Sequence, residues 1–225
     1  MEVILQSIKK FRVLWIFAIG FAVLAFVANY TRTSREDIVY HEALDLVVAT
    51  VEEQEITLRD FAVYVAHQEA TVQEQAEIYD PEDTHKYWNV HTDGTYISHA
   101  ARNQAMAMAI HDELFYQLSQ EFSISFTEDE MQTLQNDVDD FWYDLTDDGK
   151  EQMLGITKED VYNSMYKIAC AQKGQLICAG IDGVAYEDYD FNQEEYLDFL
   201  ADYKYEVKER VLYRIDFGDV TLEHE

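Results

Sequence analysis

The stretch "LVVATVEEQEITLRDF", residues 46–61, decides how the rest of the chain is read. Residues 46–51 form a short apolar run rich in β-branched side chains, the composition of a buried strand. "EEQE", residues 52–55, is too polar to continue that run and reads as a turn. Thr57, with Asp60 three positions later, has the pattern of a helix start in which each side chain caps the other's backbone N–H. No second strand is close by, so the partner of this strand must come from far along the chain.

Downstream the spacing is helical. Leu58, Phe61, Val65, Val72, Ala76 and Tyr79 form one apolar stripe, and Pro81 in "YDPED" ends the helix. "TDG", residues 92–94, marks a turn. The segment 96–121 is apolar on two faces, one carrying Ala101, Ala105, Met108 and Phe115, the other Ile110 and Leu114. Such a helix is buried by neighbours on both sides and belongs at the centre of the domain. Thr127 with Glu130, and Thr157 with Asp160, start two further helices, the first stopped near Gly149 and the second near Gly180 and Gly183. Asn192 with Glu195 begins a shorter one. "YEVKERVLYRIDF", residues 205–217, reads as a half-buried strand with Val207, Val211, Tyr213, Ile215 and Phe217 on one face. It is the best available partner for residues 46–51. The expected architecture is therefore mainly α, with the first and last strands closing a small two-stranded sheet that leans on the helices.

Upstream, residues 13–28 contain no charge. With its aromatic flanks the run covers residues 11–30, and about twenty residues at ~1.5 Å each match a ~30 Å hydrocarbon core. Lys9, Lys10 and Arg12 precede it, and Arg32 and Arg35 follow. A cleaved signal peptide ending at Ala25 would leave Phe26 and Val27 continuing the apolar run, so the expectation is an uncleaved anchor with the following domain outside the cytoplasm. The resulting division is a cytoplasmic N-terminus at 1–10, a transmembrane helix at 11–30, a tether at 31–44, a helical domain at 45–218 and a tail at 219–225.

Composition narrows the function. The formal net charge is −29, and the first 35 residues hold five of the 16 Lys and Arg but a single acid, so the remainder is more acidic still. That surface repels nucleic acid and anionic headgroups. "DYDFNQEEYLDF", residues 188–199, lacks the glycine and glutamate of a calcium loop. There is no phosphate-binding loop, no G-x-S-x-G and no H-E-x-x-H. His99 and His111 are about 18 Å apart on one helix and cannot share an ion. No cofactor or metal is expected. Adjacent acids such as Asp139–Asp140 are unremarkable among 45 carboxylates. Cys170 and Cys178 lie about 12 Å apart on a continuous helix, too far to bridge, which favours two free thiols. A helix break at Gly174 would leave a bridge open.

Several of these segments resemble one family. "VVATVEEQEITLRDF" is similar to the strand, turn and helix start that open SurA- and PrsA-type extracytoplasmic foldases, with Ile56–Thr57 at the helix start. "YWNVHTDGTYISHAARNQAMAMAIHDEL", "FSISFTEDEMQTL" and "LGITKEDVYNSMYKIACAQK" resemble the following helices of membrane-anchored relatives. The resemblance spans residues 46–175. It implies a SurA N-terminal, chaperone-like helical lobe. Enzymes of that type carry a parvulin prolyl isomerase domain after the lobe. Here residues 180–205 are the only space before the last strand, below the ~50 residues a domain needs. The parvulin site signatures are missing too, so no catalytic residue carries over.

The expected function is a membrane-anchored, extracytoplasmic domain that binds unfolded or secreted polypeptide without catalysis. Tyr87, Trp88, Trp142 and Tyr143, in "KYWNV" and "FWYDL", are the candidate polypeptide-binding aromatics. Such rings bury large areas at low entropic cost. Acid-rich surroundings would favour basic clients. The alternatives are an envelope scaffold docking one fixed partner, and a prolyl isomerase by family name only.

Overall fold

A computed structural model of the chain describes residues 37–222. The stretch 1–10, expected in the cytoplasm, and the expected anchor at 11–30 lie outside the described residues. Among the described residues no helix is long and apolar enough to cross a membrane.

The chain order is β1 (Val47–Val51), β2 (Gln54–Thr57), α1 (Leu58–Tyr79), α2 (His85–Trp88), β3 (His91–Thr92), β4 (Thr95–Tyr96), α3 (Ile97–Glu121), α4 (Glu128–Asp147), α5 (Lys150–Leu154), α6 (Lys158–Asp182), α7 (Glu194–Leu200), β5 (Tyr205–Val207) and α8 (Glu209–Leu212). Short 3-10 turns occupy Tyr40–Glu42 and Tyr186–Tyr189.

Three helices start where local chemistry requires. The backbone N–H of Thr57, Thr127 and Thr157 donates to Asp60, Glu130 and Asp160 at 3.0, 2.7 and 2.8 Å, and each threonine hydroxyl caps in return. Helix α7 differs: its cap position is Gln193, with no side-chain cap, rather than Asn192. The "TDG" turn joins β3 to β4 with Asp93 and Gly94 both at positive φ, as a tight hairpin requires.

Helix α3 is central, packed against α1 and α6. Ala101, Ala105, Ala109, Leu114 and Phe115 are all buried. At the α3–α6 crossing a Cβ on Gly174 would collide with the carbonyl oxygen of Phe115, so the helices approach as closely as they do because that residue has no side chain. Gly174 does not break α6. Cys170 and Cys178 are buried free thiols on one continuous helix. Burial pushes both thiols up from their ordinary range.

The two ends of the domain do pair. β1 runs antiparallel to β5, with Ala49 opposite Val207 and Val51 opposite Tyr205. The sheet has three strands rather than the expected two, in the order β2-β1-β5. The turn shrinks to Glu52–Glu53, Glu52 takes φ 51°, and Gln54 folds straight back onto Val51. β1 is thus flanked on both edges, and Val48, Ala49 and Val51 are fully buried.

The closing strand is much shorter than its alternating pattern suggests. Past β5 the Lys208 N–H still donates to the Val48 carbonyl at 2.8 Å, but the carbonyls upstream of β1 are occupied. The Leu46 and Leu44 carbonyls already receive the N–H groups of Leu58 and Arg59. The chain turns into α8 instead, burying Leu212, Ile215 and Phe217 while Tyr213 stays exposed.

The folded body also extends past both ends of 45–218. Ile38 donates its N–H to the Arg214 carbonyl at 2.8 Å, and Tyr40 is buried with its hydroxyl donating to the Leu58 carbonyl at 2.7 Å. At the other end Thr221 is buried. Residues 38–44 therefore belong to the domain rather than to a free tether.

Candidate functional site

Helices α1, α3, α4 and α6 do not close completely on one another. Between them lies a cavity of about 560 Å³, within the ~300–1,000 Å³ range of sites that take a small ligand or a few side chains. Val63 comes from α1, Met108 from α3, Phe141 from α4, and Met165 and Ile168 from α6. These form its apolar wall. The loop after α6 adds Tyr186 and Phe191. The apolar stripes that build the core supply these residues; what differs is that here they face an unfilled space.

Its polar corner is a connected network. His111 is buried, with Nδ1 2.8 Å from Asp112 Oδ1 and Nε2 2.9 Å from the Tyr189 carbonyl. The ring is held edge-on by Phe115 and Tyr196, with centroids 4.9 Å away in each case. The Tyr64 hydroxyl donates to the second Asp112 oxygen at 3.0 Å. Burial, then the Asp112 carboxylate, pushes the Tyr64 phenol well above its ordinary range, so it stays a donor. Gln175 donates to Asp190 at 3.2 Å and to the Tyr186 carbonyl at 3.0 Å, tying the loop to α6. Among the described residues, no group of three His, Cys, Asp or Glu could hold a metal ion. The network ties α1, α3 and the loop after α6 together at the cavity's polar corner.

The four aromatics singled out in the sequence fall into two separate places, and none of them lines the cavity. Tyr87 and Trp88 are on α2, which packs against α1 and α3. Trp88 is 2% exposed, with Gly218 pressed against its indole. Tyr87 is half-buried, its ring 5.3 Å from Tyr79 and its hydroxyl donating to Gln75 at 3.1 Å. Trp142 and Tyr143 are on α4. Trp142 packs against the core and Tyr143 is 66% exposed. Phe141, their neighbour, does line the cavity. Its spacing with Leu134, Val138 and Leu145 marks it as part of an apolar stripe and does not show which neighbour it meets. His111 was read as a helix histidine, and its partner carbonyl lies 78 residues away, beyond the reach of any local pattern.

With this geometry in place, comparison with known proteins is informative. The model of the SurA-like N-terminal domain family matches residues 5–150. That is well over half the chain, and the chain belongs to this family. No curated protein and no solved structure matches it. The matched region ends just after α4, so α6 and the closing strand, which complete the cavity and the sheet, lie beyond it. Between α6 and β5 the described residues hold only a 3-10 turn and α7, with no parvulin domain.

Proposed function

We propose that this domain holds unfolded or secreted polypeptide outside the cytoplasm, anchored to the membrane through residues 11–30, without covalent chemistry. The observation that carries this reading is the apolar cavity of about 560 Å³ between α1, α3, α4 and α6, in a chain of the SurA-like N-terminal family. One buried Leu or Phe side chain contributes about 1.5–3 kcal/mol, which a short segment largely spends on losing its freedom. Binding should therefore be weak, reversible and tolerant of sequence, as holding many clients requires. Tyr143, exposed beside Phe141 and Trp142, extends the surface a client meets. Tyr87 offers a second contact, and Trp88 holds α2 in place from beneath.

The test is aggregation of a denatured client diluted into the purified full-length chain. Suppression that is lost in Phe141→Ser supports the reading. No protection at a molar excess of the chain refutes it. A short proline peptide should isomerise no faster with the chain than without it.

A second reading, an envelope scaffold docking one fixed partner, is favoured by the apolar patch at the end of α1. There Ile78 is 85% exposed and Tyr79 59% exposed, beside Tyr87. Crosslinking in the native membrane separates the two: one partner at constant stoichiometry favours the scaffold, and many weak partners favour the chaperone-like reading.

A further inference from the structure

A second cavity, of about 500 Å³, lies between α4 and α6. Gln172 and Tyr186 line both cavities, so the two are compartments of one trough. Along α6 the lining runs from Met165 to Leu176. At ~1.5 Å per helical residue that is about 16 Å, the length of roughly five residues of extended chain at ~3.3 Å each.

The compartments differ in character. The first is walled by Val63, Met108, Phe141, Met165 and Ile168. The second keeps an apolar floor of Leu134 and Phe126 but is rimmed by Asp129, Glu130 and Asp137. Lys173 is the sole Lys or Arg lining either compartment. Its ammonium is already taken: it reaches Glu130 at 2.7 Å and the Ser125 carbonyl at 2.8 Å, and sits 4.6 Å from the Phe126 ring. Asp129 and Asp137 have no such cation; among the described residues neither carboxylate has an ion-pair partner. The second compartment is left with uncompensated negative charge over an apolar floor.

Resting on the reading that this domain holds polypeptide, we propose that the trough takes an extended segment in which an apolar residue fills the first compartment and a lysine or arginine, a few residues along, lies in the second. The long stem of such a side chain covers Leu134 and Phe126 while its charged end reaches Asp129 and Asp137. The charge excludes the other occupants. A second copy of a chain with net charge −29, an acidic peptide and a nucleic acid are all repelled.

The experiment is fluorescence anisotropy on the full-length chain with three labelled peptides of equal length. They share an apolar core and differ only in flanking Lys, Gln or Glu. The expected order is Lys tightest and Glu weakest. Lys should exceed Gln by about tenfold at low salt, an advantage that collapses when added salt shortens the screening length to ~3–8 Å. The double variant Asp129→Asn, Asp137→Asn should bind the Lys and Gln peptides alike. Both positions are exposed, so this variant should keep the wild-type circular dichroism and melting temperature. Met165→Trp, which fills the first compartment, should weaken all three. Equal binding of the three peptides, or a Lys preference that survives in the double variant, overturns the proposal but leaves the polypeptide-holding reading standing. Failure of every peptide to bind overturns both.

Discussion

Two grooves border the central helices, and the chain fills one of them and leaves the other open. The filled one is sealed by the C-terminal segment 218–221. There Glu69 of α1 is fully buried and its carboxylate accepts from the N–H groups of Gly218, Val220 and Thr221, at 2.6, 3.3 and 2.7 Å, and from the Thr221 hydroxyl at 2.6 Å. Gly218, at φ 107°, lies flat on Trp88, where any side chain would collide with the indole. The open one is the trough between α4 and α6, rimmed by Asp129, Glu130 and Asp137 over an apolar floor of Leu134 and Phe126. The contrast separates a carboxylate whose hydrogen bonds are met inside the fold from carboxylates left facing solvent. Glu69 has four donors and no solvent. Asp129 and Asp137 have solvent and, among the described residues, no ion-pair partner.

The largest effect that would break this comparison is expected at Glu69. Glu69→Ala leaves three backbone N–H groups without their shared acceptor in a buried site. Each buried donor left unsatisfied costs about 1–3 kcal/mol, read as a fall in the urea midpoint, and 218–221 should become open to proteolysis. A change below about 1 kcal/mol would mean that this segment is not held as described. The pH response has a definite sign. Burial raises the Glu69 carboxyl, and its hydrogen bonds only partly oppose this. The native state therefore binds that proton more tightly than the unfolded chain, and this group adds stability as pH falls through its raised range. Glu69→Gln should remove that component.

The aromatics sharpen the same contrast. Trp88→Ala empties a closed core position and should cost about 3–5 kcal/mol. Tyr143→Ala, on the open side, should change stability by no more than about 0.5 kcal/mol while weakening client binding. Matching melting temperatures for the two variants would sink the distinction.

The smallest effect concerns Glu130 at the rim of the trough. The Lys173 ammonium, with the Thr127 N–H, lowers its carboxyl to about 2. The sign is opposite to that of Glu69. Its contribution is present above the ordinary carboxylate range and fades as pH falls from about 4.5 toward about 2. Lys173→Met should flatten that part of the acid-unfolding curve. An unchanged acid limb would show that this exposed pair does not contribute to stability.

How much of this was legible beforehand depends on how far each feature reaches along the chain. The threonine caps at Thr57, Thr127 and Thr157 were readable because both partners sit three residues apart. The two-faced helix α3 was readable because its burial on both sides is written in its own spacing. The pairing of the domain's two ends was readable by elimination. The brevity of β5 was not, because it depends on which carbonyls of residues 44–48 are already taken by α1 and β5 themselves. The third strand was hidden inside what read as a polar turn, since Gln54 and Glu55 are exposed on an edge strand. The role of Glu69 was equally silent, its donors lying about 150 residues away.

The sequence by itself determined the helical class, the helix starts, the closure of the domain by its own ends, the acidity of the chain, and the family. These follow from local hydrogen bonding, from the helical repeat and from composition, none of which needs coordinates. Only the tertiary structure decided where the helices leave space. Phe141 lines a cavity and Trp88 lies in the core although both sit in short aromatic clusters. A stripe of apolar residues records that a face will be covered, but not by which part of the chain, nor whether the cover is complete.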